Sequence, residues 1–203
     1  MVFGTMTPRD PDSYVTPDFA DAMGVDLLVT TSGFGMGLFY RHEYTGDLAG
    51  FIDFSISDSR DDREFEYYDP YTGTLYSPGK LNRFLVIPLQ FGIQKRFFRE
   101  EILDNFRPYL NVGIGPTMIY VFPYNLEYFN ALGKGQPRYT FGGYVGFGAF
   151  FGSERSSLFG LNIRYSYIPY RGGIESLRIY EGKTETKNDF GSFMITLSWG
   201  GSW

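Results

Sequence analysis

Histidine occurs once in this 203-residue chain, at His42, and cysteine does not occur at all. Those two counts bound the chemistry. Thiolate metal sites, cysteine nucleophiles and disulfides are excluded, a multi-histidine metal centre is impossible, and any imidazole base has to be His42. His42 precedes Glu43 at the edge of a short turn, "EYTG". A second candidate is acidic: Asp58, Asp61, Asp62, Glu64 and Glu66 crowd one stretch, with Tyr67 and Tyr68 directly after. Carboxylates hold divalent cations when their spacing closes an oxygen shell. No EF-hand spacing is present here, so a solvated loop is expected. Its tyrosines (Tyr67, Tyr68, Tyr71 and Tyr76) are the residue type that anchors interfaces. The Gly-x-Gly groups at 33–37 and 146–148 lie inside strand-like stretches with no helix after them, which removes a phosphate-cradling role. No cofactor or metal is expected.

The elements that must position these residues are strands. Alternation with period two puts successive side chains on opposite faces, and it recurs along the chain. Residues 27–42 set Phe34, Met36, Leu38 and Tyr40 against Gly33, Gly35 and Gly37. Residues 48–57 set Ile52, Phe54 and Ile56 against Asp53, Ser55 and Ser57. The pattern continues over 81–97, 106–122, 139–151, 158–167 and 189–199, seven clear strands in all. Within 81–97, Pro88 lacks a ladder donor and calls for a local bulge. Connections alternate between short (43–47, 98–105, 152–157) and long (58–80, 123–137, 171–187); the first long one reads as a loop, with a protruding hairpin turning at "DPYTG" as its alternative. An even strand count requires one more, expected near Val2–Thr7 and followed by a loop over Pro8–Asp26. The economical reading is one domain over 1–203, with 1–26 a partial first strand and loop and 27–203 the seven clear strands.

Which face points inward decides the class. The small and polar face carries Gly, Ser, Thr, Asn and Gln, with few of the Lys and Glu residues that a water-facing surface would need. Charges concentrate in the connections. The pattern is therefore inverted: apolar residues outside, and Asp53, Gln90, Gln94, Asn111, Asn162 and Arg164 inside, where buried charges have to find partners. An eight-stranded barrel is narrow enough for side chains to fill, and glycine meets the steric need of its interior. Aromatics reach 20% of residues, with 26 glycines, and mean hydropathy is only −0.20. No run approaches the roughly 18 apolar residues of a spanning helix. A net charge of −5 without a basic patch argues against a nucleic-acid partner.

The pairing of "LNRFLVIPLQFGIQKRFF" with "FRPYLNVGIGPTMIYV" resembles the "YLEIPLLLKYRF … PYLGAGP" pairing of small OmpX/OmpA-like porin-family barrels. The resemblance covers residues 27–203 and departs where Val86 stands in place of an acidic residue. It implies an all-β, eight-stranded antiparallel up-and-down transmembrane barrel in the outer membrane of a Gram-negative bacterium, with three or four extended outer loops. Its partners would be outer-membrane lipid, the barrel-assembly machinery, and other outer-membrane or cell-surface proteins. The ending "GSFMITLSWGGSW" resembles the family's assembly signal, carried here by Phe193, Ile195, Leu197, Trp199 and Trp203. The N-terminal "MVFGTMTPRDPDSY" shows no signal peptide, so the resemblance implies a targeting segment upstream of this numbering. The implied role is non-enzymatic, structural or interactive, with membership of a larger outer-membrane complex among the expectations. A narrow channel, a lipid-modifying enzyme using a His–Ser pair, and a soluble ligand-binding barrel are the alternatives. The enzyme reading would need its histidine at the outer rim, and the strand order puts His42 at the opposite one.

Overall fold

The computed structural model describes residues 21–71, 73–98, 106–151, 158–178 and 183–203. Eight strands close a barrel: β1 Asp21–Thr30, β2 Gly33–Thr45, β3 Leu48–Ser59, β6 Asn82–Arg96, β7 Phe106–Pro123, β8 Gln136–Phe151, β9 Leu158–Tyr167 and β12 Phe193–Ser202. Every neighbouring pair is antiparallel, and β1 pairs with β12 from Ala22↔Ser202 to Thr30↔Met194 to complete the ring. Two hairpins stand apart from the ring, β4 Tyr67–Asp69 with β5 Thr74–Tyr76 and β10 Pro169–Arg178 with β11 Thr184–Asp189. A short helix, α1 Tyr128–Leu132, lies in the β7–β8 connection.

The eighth strand is not where the alternation placed it. Val2–Thr7 lies outside the described residues, and the strand completing the barrel is β1, in the stretch assigned mostly to a loop. Residues 27–42 are two strands joined by a tight turn at Thr31–Ser32. There the Thr30 hydroxyl accepts the Ser32 N–H at 3.1 Å and donates to the Gly33 carbonyl at 3.2 Å. Gly33 takes a φ of 152°, a backbone state that L side chains rarely adopt. The inward parity switches across this turn, from Asp26 and Leu28 in β1 to Phe39 and Arg41 in β2. Three further expectations are corrected. The stretch 171–187 belongs largely to the β10–β11 hairpin rather than to an irregular loop. The last strand runs 193–202 rather than 189–199. Pro88 needs no bulge: register is unchanged from Pro88↔Thr117 to Phe91↔Ile114.

One rim carries the Gly46–Asp47 turn and both described chain ends, where Trp203 donates its N–H to the Asp21 carbonyl at 3.0 Å. The other rim carries the tight β1–β2 turn and the three long connections. The outer wall is apolar, with Met36, Leu38, Ile93, Val112, Ile114, Val145, Phe147, Ile163 and Ile195 all exposed. Aromatic rings gather toward the ends of this belt. Phe106, Phe151 and Phe159 form a chain of ring contacts at 5.4 and 6.2 Å near the short-turn rim, and Tyr139 and Tyr167 are exposed near the other.

The interior is filled in three layers. Beneath the long connections, Phe84, Val86 and Ile119 of the wall pack against Ile168, Ile174 and Phe190. The last three come from the β9–β12 connection, whose residues thus close the mouth. A polar layer fills the middle. Near the short-turn rim, Phe39, Tyr109, Phe150, Ala22 and Leu158 cluster. Glycine makes these layers possible: a Cβ on Gly160 would sit 2.7 Å from the Phe150 ring, and one on Gly146 would sit 2.7 Å from the Asn162 Oδ1.

Gly146→Val should therefore lower barrel stability by about 1–3 kcal/mol through overpacking, while Phe147→Leu on the outer wall leaves it nearly unchanged. Urea unfolding followed by heat-modifiable gel migration measures both. Equal effects would contradict the inward placement of Gly146.

Candidate functional site

The polar layer is built around Arg164, carried inward by β9 and only 5% exposed. Its guanidinium lies 3.2 Å from the Asp53 carboxylate of β3 and 3.4 Å from the Asp26 carboxylate of β1. Neighbouring strands bring the supporting groups. Tyr144 donates its hydroxyl to Asp53 at 2.7 Å, and Ser198 donates to Asp26 at 2.6 Å. Asn162 accepts from Arg164 Nε at 2.9 Å and donates to Asn111 at 3.3 Å. The Arg164 guanidinium also lies 4.8 Å from the centre of the Tyr144 ring. Burying such charges is tolerable only when hydrogen bonds occupy the remaining lone pairs and protons, and this layer supplies most of them.

Four of the six residues assigned to the interior, Asp53, Asn111, Asn162 and Arg164, meet in this network. Gln90 and Gln94 face inward and are buried, but neither side-chain carbonyl has a donor among the described residues. They stand beside the network rather than in it. The sequence reading missed Asp26 and Arg41. Both were detectable once the parity switch at the β1–β2 turn is allowed for. It also missed Tyr144, Tyr109 and Phe150, large aromatics on the glycine-rich face. Arg41 lies under the network, 4.5 Å from the Phe39 ring and 4.9 Å from the Phe150 ring.

His42 sits at the short-turn rim, half exposed, with Nδ1 2.8 Å from the Asp21 carboxylate. Tyr40 donates to the same oxygen at 2.6 Å. The ring is held at the base of the wall, far along β2 from the long connections.

The acidic stretch is not a solvated run. Asp61 is buried and receives Arg63 Nε at 2.9 Å and Nη2 at 2.8 Å, and the Ser176 hydroxyl of β10 at 2.6 Å. Arg63 reaches on to Glu185 of β11 and to the Thr186 carbonyl. Lys80 pairs with Glu64 at 2.5 Å, Arg60 pairs with Glu66 at 2.8 Å, and Lys187 donates to the Arg60 carbonyl at 2.7 Å. Among the described residues no acidic or histidine cluster is arranged to hold a metal. The carboxylates instead clasp the 60–81 connection to the β10–β11 hairpin. Beyond this clasp the β4–β5 tip projects: Tyr67, Tyr68 and Tyr76 are exposed, and Tyr71 is 97% exposed. Of the C-terminal residues, Phe193, Ile195, Trp199 and Trp203 are exposed and Leu197 is half-buried.

Burial alone would raise the Asp61 carboxyl. The Arg63 and Ser176 hydrogen bonds, with the Arg63 charge, outweigh it and hold the group at about 2. A folded value below the unfolded one gives stability that is complete above the ordinary carboxylate range and lost as pH falls through about 2. A carbon-13 titration of the Asp61 carboxyl should therefore find its midpoint near 2, with the clasp intact at pH 4. A midpoint at 4 or higher would contradict the clasp. In the interior, Arg164→Met should cost about 3–5 kcal/mol, because it strands two buried carboxylates. Adding Asp26→Asn and Asp53→Asn should recover most of that loss in urea unfolding. If the triple variant is no more stable than Arg164→Met, charge pairing is not what the residue supplies.

No protein-family model matches the chain, and neither does any curated protein sequence. Solved structures do. Neisserial surface protein A (NspA) superposes with a TM-score of 0.54 at 12% identity, over 90% of this chain and 95% of that one. The outer membrane protein OprG from Pseudomonas aeruginosa gives 0.51 at 12% identity, over 92% of this chain and 97% of its own. At such identities the likeness is one of fold. The chain has the fold of the small outer-membrane barrels: eight antiparallel strands in an up-and-down ring, closed by the first against the last.

Proposed function

We propose that this chain is a non-enzymatic barrel of a Gram-negative outer membrane, whose interior is a structural plug and whose long-connection rim is a pre-ordered interaction surface. The observation that carries the reading is the inverted wall, apolar outside and charge-paired inside. Contiguous apolar surface larger than a few hundred Å² rarely stays exposed to water, and this belt runs round the ring between aromatic ends, the form that lipid-facing walls take. Lipid is then the partner of the whole outer face, and the exposed aromatics of β12 are what the assembly machinery would meet. The short-turn rim, with both described chain ends, would face the periplasm.

The filled interior favours a plug over a channel. A solute would have to displace the Phe84–Phe190 aromatic contact at 5.1 Å and then the Arg164 network. The loops favour interaction. Each long connection is tied to a neighbour: Arg178 donates to the Gly79 carbonyl at 2.7 Å, and the Ser77 N–H to the Tyr124 hydroxyl at 3.3 Å. Ordering before binding lowers the entropic cost of association. Tyrosines offer large contact area with few rotatable bonds, so the β4–β5 tip is the expected point of contact with a cell-surface or outer-membrane protein.

Ile114, 66% exposed at mid-wall, gives the test of membrane placement. Ile114→Arg should cost about 2–4 kcal/mol in lipid vesicles, whereas an exposed site in a water-soluble barrel would tolerate it within about 0.5 kcal/mol. Planar bilayers containing the folded chain should show no conductance steps. A photoreactive side chain at Tyr71 should capture one discrete species in intact cells. Steady conductance with no adduct would favour the channel.

A further inference from the structure

A cleft of about 500 Å³ opens in the mouth of the barrel, between the ends of β6, β7 and β8 and the β10–β11 hairpin. Its wall residues Asn82, Val121, Gln136 and Arg138 carry the inward parity of Phe84, Ile119 and Tyr144 on the same strands. The cleft therefore looks over the mouth rather than onto the apolar belt, and lipid does not reach it. Its floor is Ile174 with Val121 and Tyr170, the upper surface of the apolar seal. Its charged lining is Lys134, Arg138 and Arg171 against Glu175, an excess of two positive charges in a chain whose net charge is −5.

The backbone brings these cations together in two ways. The β8–β9 ladder ends at Gly143↔Tyr167, and the Thr140 hydroxyl then donates to the Pro169 carbonyl at 2.5 Å. Arg138 lies two residues before Thr140 and Arg171 two after Pro169, so the arginines stand on facing sides where the two chains part. The second device is a bulge. Pro169 pairs with Asp189 and Ile174 with Lys187, so Tyr170–Gly173 are set against Asn188 alone. Gly172 and Gly173 take φ of 90° and 66°, which L side chains rarely adopt, and a Cβ on Gly172 would meet nothing within 4 Å. Bulges re-aim side chains, and this one brings Tyr170 and Arg171 to the cleft. Among the described residues none of the three cations has a carboxylate partner, and Arg138 donates only to Gln136 Oε1 at 3.2 Å. Like charges facing one another repel, and an anion between them relieves that repulsion.

We propose that this cleft binds a phosphorylated monosaccharide, its phosphate dianion between Arg138 and Arg171 with Lys134 adding the third positive charge, and its ring over Tyr170. An excess of two charges suits a dianion better than a single carboxylate, and the guanidinium fork matches phosphate oxygens two at a time. A phosphate monoester is largely dianionic at neutral pH, since its second proton leaves near pH ~6. The volume falls within the roughly 300–1,000 Å³ of small-molecule sites. Asn82 gives its Nδ2 to the Glu175 carbonyl at 2.8 Å, and Gln136 Oε1 accepts from Arg138. Asn82 Oδ1 and Gln136 Nε2 are left for sugar hydroxyls, while the C–H face of the ring suits the Tyr170 side chain. The β4–β5 tip takes no part in this site, so the site and the protein contact proposed for that tip stand or fall separately.

The test uses the full chain, folded in a neutral detergent and labelled with nitrogen-15, with glucose 6-phosphate, glucuronate, glucose and inorganic phosphate as probes. Binding is followed calorimetrically and by the Gly172 and Gly173 N–H resonances. The expected result is saturable binding of glucose 6-phosphate that moves both resonances and leaves that of Gly73, on the β4–β5 turn, in place. Glucuronate and inorganic phosphate should each bind at least fivefold more weakly, and glucose more weakly still. Arg171→Met and Lys134→Met should each weaken glucose 6-phosphate at least fivefold. Both side chains are exposed and bond no other side chain among the described residues, so these variants should keep the folded, heat-modifiable band. If Arg171→Met loses it, Lys134→Met, on a separate connection, decides. Arg178→Met removes the same charge at the far end of β10, outside the cleft, and should leave binding within twofold. Glucuronate or inorganic phosphate as tight as glucose 6-phosphate, equal weakening in Arg178→Met, or no saturable binding would overturn the proposal.

Discussion

A guanidinium held between two carboxylates in the middle of a narrow barrel sets the terms for the rest of the molecule. Arg164, Asp26 and Asp53 come from β9, β1 and β3, which are separated in the chain and in the ring. They meet only if the ring closes in one register. A one-residue slip of any of these strands would turn its charge onto the outer wall, where an apolar surroundings would make it intolerable. The network is thus weak evidence for stability and good evidence for specificity, since misregistered closures leave charges uncompensated. It also dictates composition. The space for Arg164 and Asn162 exists because Gly146 and Gly148 have no side chains to fill it, and that for the Tyr144 ring because Gly113 has none.

Ionic pairing recurs at the long-connection rim with a different effect. There the pairs join segments that no strand ladder connects: Asp61 to Ser176, Arg63 to Glu185, Lys187 to the Arg60 backbone. Surface ion pairs contribute little one at a time. Asp61 is an exception because it is buried and accepts several bonds at once. The consequence is mechanical. Two long connections that would each wander over the barrel mouth behave as one layer, and the tyrosine-bearing β4–β5 tip is mounted on it.

Much of the fold was legible in the sequence because lipid and a cramped interior impose opposite demands on alternate residues. The up-and-down barrel, the contrast between rims and the inward Asp53, Asn111, Asn162 and Arg164 follow from parity, and turn chemistry at "DPYTG" offers the hairpin as an alternative. The total of eight comes from adding a strand near Val2–Thr7 to a stretch, 27–42, that is itself two strands. The errors arise where that signal has no purchase. Residues 27–42 look like one strand because apolar residues fall on either side of Thr31–Ser32 without a break in alternation strong enough to notice; the parity switch there places Asp26 and Arg41 inside. In the β10–β11 hairpin the buried apolar residues Ile174 and Leu177 fall on opposite parities across a register shift between Glu175 and Leu177, so it carries no clean period to read. Tyr144, Tyr109 and Phe150 sit among glycines and have the same types as the outward residues. Pairing partners, such as Arg63 for Glu185, depend on where loops come to rest, which no local pattern encodes.

The three interior layers make the barrel asymmetric. Under the long connections the seal is largely apolar, formed by Phe84, Val86 and Ile119 against Ile168, Ile174 and Phe190. The middle layer is closed by mutual pairing. Toward the short-turn rim the buried Arg41 guanidinium has no hydrogen-bond acceptor among the described residues, and the Phe39 and Phe150 rings cover its faces. The two ends therefore differ in kind. One is a layer of long connections tied together by ion pairs, the other a cluster of aromatic rings packed around a buried guanidinium. Between them stands Arg164, the side chain that ties the β9 wall to both β1 and β3, so a change in either end that shifted the register of one of these strands would have to break its ion pairs.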